Sequence, residues 1–122
     1  MTKFLVFAAL ALSLQPAFAA PVLVGTVKLS EGNELEYKDV RNVCGLRKVR
    51  LFVTNDHAHI DFVSIRFGNG EFQQINVREH FARDSWSNWK DLNGNTRCIS
   101  AFMVLGRSGT HPRDAEIHLI AK

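Results

Sequence analysis

The chain has 122 residues, with 15 Lys and Arg against 12 Asp and Glu and only two cysteines. That length is one domain, with chain enough for a single core and none for a second. The small positive balance is scattered along the sequence, without the concentrated basic face of a phosphate-binding domain, and argues against nucleic acid as a partner.

Residues 1–19 read as a cleaved secretory signal peptide. Lys3 supplies the positive start, Phe4 to Leu14 the apolar run, Gln15-Pro16 a break and Ala17-Phe18-Ala19 a small-residue cleavage site. The run is too short to span a bilayer, which needs about 20 apolar residues. Cleavage is expected after Ala19, because cutting after Ala20 puts Phe18 at the disfavoured −3 position. No cysteine follows the cut to take a lipid anchor, and no second long apolar run occurs. Residues 20–122 are therefore expected as one soluble, exported domain without a transmembrane segment. Loss of Lys3 leaves it 14 Lys and Arg against 12 Asp and Glu. In an oxidising compartment Cys44 and Cys98 read as one disulfide rather than a catalytic thiol.

Beyond the leader, short β-rich runs alternate with Gly, Asn and Asp, and no helical period is sustained. The pattern predicts an all-β fold, an antiparallel β-sandwich of about eight strands. The first two strands fall near 22–28 and 34–40. The third, near 46–54, puts Val49, Leu51 and Val53 on one face and Lys48, Arg50, Phe52 and Thr54 on the other. Arg47, Lys48 and Arg50 read as the charged outer face of an amphipathic strand, or as charge blunting an edge. The functional alternative is attraction of an anionic lipid headgroup or acidic glycan.

Asn55 to His59, NDHAH, reads as a polar hairpin tip, and also as a candidate metal site. In extended chain His57 and His59 point to one side, with Asp56 or Asp61 able to add oxygen. Imidazole suits zinc or copper, but a third ligand, His80, His111 or His118, has to come from elsewhere.

Strands near 58–67 and 72–79 form a hairpin. A two-residue Asn69-Gly70 turn sends Ile75 and Val77 to the wrong face, whereas a three-residue loop, Gly68-Asn69-Gly70, keeps them with Val63 and Ile65. That loop expects Gly70 in the left-handed region. Adjacent apolar Phe62 and Val63 mark a change of phase, hence a β-bulge or a strand crossing between sheets.

The sixth strand, near 85–92, carries Trp86 and Trp89. Residues three apart in a strand point to opposite faces, so Trp89 reads as core and Trp86 as the freer ring. If residues 80–90 are an irregular loop instead, both rings can be presented together. Trp86 with Asn88 and Arg83 is the candidate ligand site, since aromatic faces beside polar groups suit glycans or small ligands. The stretch CISAFMVL in the strand near 97–106 is apolar on both faces and predicts a central strand covered on both sides. The last strand, near 114–121, sets Ala115, Ile117, Leu119 and Ala121 opposite Glu116 and His118.

The stretches VCGLRKVRLFV at 43–53 and NGNTRCIS at 93–100, with V-L-V-G-T near the amino terminus, resemble the YaaI-like family of small bacterial periplasmic proteins. The resemblance covers most of the mature chain and implies a periplasmic β-sandwich bridged by Cys44 and Cys98. It carries over no active site. No G-x-S-x-G, H-E-x-x-H, P-loop or G-x-G-x-x-G motif is present, so no catalytic residue and no cofactor is assigned. The expectation is a non-catalytic exported β-sandwich, periplasmic or secreted to the exterior, that binds a protein or glycan partner in an undetermined oligomeric state. Alternatives are a glycan or small-ligand module using Trp86 and Trp89, a metal-binding protein using His57 and His59, and an enzyme without a recognisable motif.

Overall fold

A computed structural model describes residues 20–109 and 114–122. The predicted leader and the candidate ligand His111 lie outside them. The described residues form nine strands: β1 (Val22–Leu29), β2 (Glu34–Leu46), β3 (Lys48–Thr54), β4 (Ala58–Phe67), β5 (Phe72–Phe81), β6 (Ser85–Trp86), β7 (Lys90–Asp91), β8 (Arg97–Ser108) and β9 (Ala115–Ala121). Two antiparallel sheets pack face to face. The first runs β1-β9-β3-β6, with β7 also on β3; the second runs β2-β8-β4-β5. The expected β-sandwich is the fold.

The core follows the alternation. Val49, Leu51 and Val53 of β3 and Ile117 and Leu119 of β9 face Ile60, Val63 and Ile65 of β4 and Ile99, Phe102 and Val104 of β8. A pleated strand sends alternate side chains to one side, so these residues bury together while their neighbours meet solvent. The strand β8 is central, between β2 and β4, but only one of its faces lies in the core. Among the described residues no layer covers its other face: Met103 and Leu105 are half-buried, with Tyr37 and Ser64 beside Met103 and Leu35 and Phe62 beside Leu105.

The β4–β5 hairpin has the three-residue loop. Val63 pairs with Ile75 and Ile65 with Gln73, the Phe67 amide donates to the Glu71 carbonyl, and Gly70 has φ of +91°. The phase change is also present. The register of β4 slips between Ile60 and Phe62 against both β5 and β8.

Cys44 and Cys98 form a disulfide between the adjacent strands β2 and β8. Nearby, Arg97 ties the β4–β5 loop to the turn before β8. Its guanidinium lies 3.7 Å from the Phe67 ring centre, and its two terminal nitrogens donate to Glu71 Oε1 and the Asn93 carbonyl, both at 2.7 Å. Among the described residues, no helix is long and apolar enough to cross a membrane.

Candidate functional site

The predicted strand near 85–92 is broken, and the break decides where the tryptophans point. Trp86 pairs with Phe52 and Ser85 with Val53, while Lys90 pairs with Val49 and Asp91 with Lys48. Three residues, Ser87 to Trp89, therefore face only two, Arg50 and Leu51. One extra residue is a bulge, and it reverses the alternation of everything after it. Trp86 and Trp89 consequently lie on the same, outer side of the first sheet. Trp89 is not a core residue; the buried one is Ser87. The Ser87 hydroxyl accepts from the Leu51 amide and its own amide donates to the Leu51 carbonyl, both at 2.9 Å.

Between the two indoles stands Arg50. Its guanidinium carbon is 3.9 Å from the Trp86 ring centre and 4.7 Å from that of Trp89. The Phe52 ring stacks on Trp86 at 4.1 Å, and Lys122 Nζ stands 4.4 Å from the Trp89 ring centre. Phe52 and Arg50 are each about 4 Å from the same ring centre and would collide on one face, so they occupy opposite faces of Trp86. Cation–π and aromatic contacts of this kind fix a side chain at low cost. Trp86 nevertheless remains 46% exposed, through its edge. Beside this ladder an open cleft of about 380 Å³ is lined by Arg47, Lys48, Asp91, Leu92, Gly94 and Asn95. Lys48 holds Asp91 there at 3.4 Å.

The other expected members of this site are placed differently. Asn88 is exposed in the bulge, where its carbonyl accepts the Ser87 hydroxyl. Arg83 is exposed in the preceding turn and reaches Asp84 at 3.9 Å; the cation in contact with Trp86 is Arg50. Nor does the basic cluster blunt an edge, because β3 is flanked by β9 and by β6 and β7. The missed contributors are Arg50, Phe52 and Ser87. For Arg50 and Phe52 a signal existed, an aromatic residue two positions from a cation on the polar face of β3; for Ser87 there was none.

The histidines gather at one end of the second sheet. His59 pairs with His80 of β5 and with Arg107 of β8. His57 Nδ1 lies 3.2 Å from His80 Nε2, and the His59 and His80 ring centres are 6.5 Å apart. His59 Nε2 meets Asp61 Oδ1 at 3.1 Å, and His57 Nε2 is 3.8 Å from Asp56 Oδ1. A cleft of about 360 Å³ opens there, lined in addition by Glu31, Arg107, Ser108 and Gly109. Of the candidate third ligands, His80 joins His57 and His59. His118 does not: it lies on the first sheet, with both ring nitrogens 2.8 Å from the hydroxyls of Thr26 and Thr54. Among the described residues no three His, Cys, Asp or Glu side chains already stand in a common metal-holding arrangement.

Fold and surface together define a disulfide-closed antiparallel β-sandwich with an aromatic–cation ladder on one sheet and a histidine cleft at the end of the other. A family model described as a domain of unknown function, DUF2541, matches residues 4–121, and the chain belongs to that family. No curated protein and no solved structure matches it.

Proposed function

We propose that the chain is a non-catalytic, exported binding module that recognises an anionic partner, an acidic protein surface or acidic glycan, on the outer face of its first sheet. The observation that carries this reading is Trp86, nearly half exposed although Phe52 and Arg50 hold both faces of its ring. An exposed aromatic that is already immobile loses little entropy on binding, and Trp and Arg dominate the energetics of recognition surfaces. Arg47 beside the ladder supplies positive charge for an anion, while Lys48 is paired with Asp91. A neutral sugar is less well served, because neither face of the Trp86 ring is free for it to stack on. Export is supported by the leader-like residues 1–19 and by a disulfide, which persists in oxidising compartments. The resemblance to the YaaI-like family supports the bacterial periplasm as that compartment. The non-catalytic part of the reading goes with a sequence that carries no G-x-S-x-G, H-E-x-x-H, P-loop or G-x-G-x-x-G motif.

The test is a tryptophan fluorescence titration of the protein with an oligogalacturonate and, separately, a polyglutamate peptide. A saturable change with one of them is expected, weakened by salt and lost in Trp86→Ala. Titration by neither, or an unchanged titration in the variant, rejects the reading. Saturation by a neutral β-glucan instead transfers the site to the glycan class.

A further inference from the structure

The histidine cleft is independent of the ladder, and its geometry points to a second ligand. We infer that His57 and His80, completed by His59, bind a divalent transition-metal ion of the zinc or copper class. Two ligand nitrogens on a tetrahedral zinc stand about 3.3 Å apart, given Zn–N bonds of about 2.0–2.1 Å. His57 Nδ1 and His80 Nε2 are 3.2 Å apart. The two nitrogens face each other at hydrogen-bond distance, and a cation fits between them when both turn their lone pairs inward.

That turn requires the proton of each ring to sit on its other nitrogen. For His57 and His59 the structure sets a carboxylate on the side of that other nitrogen. The remote nitrogen of His57, Nε2, faces the Asp56 carboxylate at 3.8 Å. Asp56 is itself fixed, its Oδ1 accepting from the His57 amide at 2.8 Å and its Oδ2 from the Ser108 hydroxyl at 3.3 Å. His59 repeats the arrangement, with Nε2 against Asp61 at 3.1 Å, which leaves Nδ1 as its ligating atom. Metal-binding histidines characteristically donate their second ring nitrogen to a carboxylate, which fixes the tautomer and raises basicity; His59 stands at hydrogen-bond distance from Asp61, and His57 has to close on Asp56 to reach it.

Gly109 is part of the construction. A Cβ on it would lie 2.0 Å from His57 Nε2, so only glycine leaves this ring its position. His59 is paired with His80 in register and closes the site by rotating its ring toward the pair. Arg107, on the far side of His59, opposes a cation, and Asp56, Asp61 and Glu31 outnumber it.

The experiment uses the full chain without a histidine tag, stripped of metal by chelation and titrated calorimetrically with Zn²⁺ and with Cu²⁺ near pH 7.5. One equivalent is expected, with affinity reduced at least about tenfold in His57→Asn and in His80→Asn and unchanged in His118→Asn. His80 is exposed, so its variant keeps the fold, to be verified by an unchanged melting curve of the apo protein. The Cu²⁺ adduct is expected to show an electron paramagnetic resonance spectrum with at least two imidazole nitrogens. Absence of saturable binding, affinity unchanged in the His57→Asn/His80→Asn double variant, or a spectrum without nitrogen coupling overturns the inference. Trp86→Ala leaves this binding intact, which separates its outcome from that of the recognition face.

Discussion

The hydroxyl of Ser87 accepts the amide proton of Leu51 at 2.9 Å, doing the work of a strand carbonyl in the ladder of the first sheet. Leu51 is in the core, so its amide has no access to water. Without that bond the donor is buried and unpaired, which costs about 1–3 kcal/mol. Ser87→Ala is therefore expected to lower stability to urea by about that amount. Ser87→Thr, which keeps the hydroxyl, should recover much of it. Equal stability of Ser87→Ala and wild type would show that the bulge is held by other contacts.

The ladder itself is measurable. Arg50 touches both indoles, yet its Nε is buried with no hydrogen-bond partner among the described residues. Arg50→Met removes that unpaired donor along with the cation–π contacts, so its single-variant cost understates the interaction. A double-mutant cycle with Trp86→Leu isolates the pair, and a coupling of about 0.5–2 kcal/mol is expected. Coupling indistinguishable from zero would mean that the guanidinium is merely parked between the rings.

Most of the architecture was legible in the residues because the pleat makes alternation nearly equivalent to burial. Val49, Leu51 and Val53, and Ile117 and Leu119, are core because their strands are regular. The site was harder to read because it depends on where strands are irregular. Opposite faces for Trp86 and Trp89 follow from unbroken alternation, and a single extra residue among Ser87 to Trp89 reverses that result. Nothing in W-S-N-W announces the bulge until Ser87 is seen to replace a carbonyl. The histidines were closer to reach. Carrying the three-residue-loop register down the hairpin sets Glu79 opposite His59, and the slip beyond Phe62 replaces it with His80. The loop and the slip are both visible in sequence, and only their combination sets His80 opposite His59. Arg107 and the cleft belong to β8, whose register against β4 no local pattern encodes.

The disulfide joins residues 54 positions apart on neighbouring strands. In the chain-entropy account, opening such a loop releases about 4 kcal/mol of denatured-state freedom. For a domain of this size that is a fall in melting temperature on the order of 15–30 °C. Cys98→Ser should show it, and reduction of the wild type should reproduce it. A melting temperature unchanged by both would assign the bridge no part in stability. Zinc affinity and the fluorescence titration, measured at a temperature where the variant is folded, should be unaffected, since neither site contains the bridge.

Glu71 gives the Arg97 tie between the β4–β5 loop and the turn before β8 a pH dependence of known sign. Hydrogen bonds from the Asn69 side chain, and then from Arg97 with its charge, hold the Glu71 carboxyl below the ordinary carboxylate range. A carboxyl with a depressed folded pKa contributes stability that is fully present above its unfolded value, about 4.3, and lost as pH falls through the lower folded value. Glu71→Gln removes the charge. Wild type is therefore expected to be the more stable of the two at neutral pH, with the gap in urea midpoint closing as the solution is acidified below about pH 4. Because the group is exposed, added salt should narrow the neutral-pH gap as well. A gap that stays constant from neutral to acid pH would mean that the carboxylate charge contributes nothing, leaving Arg97 held by Phe67 and the Asn93 carbonyl alone.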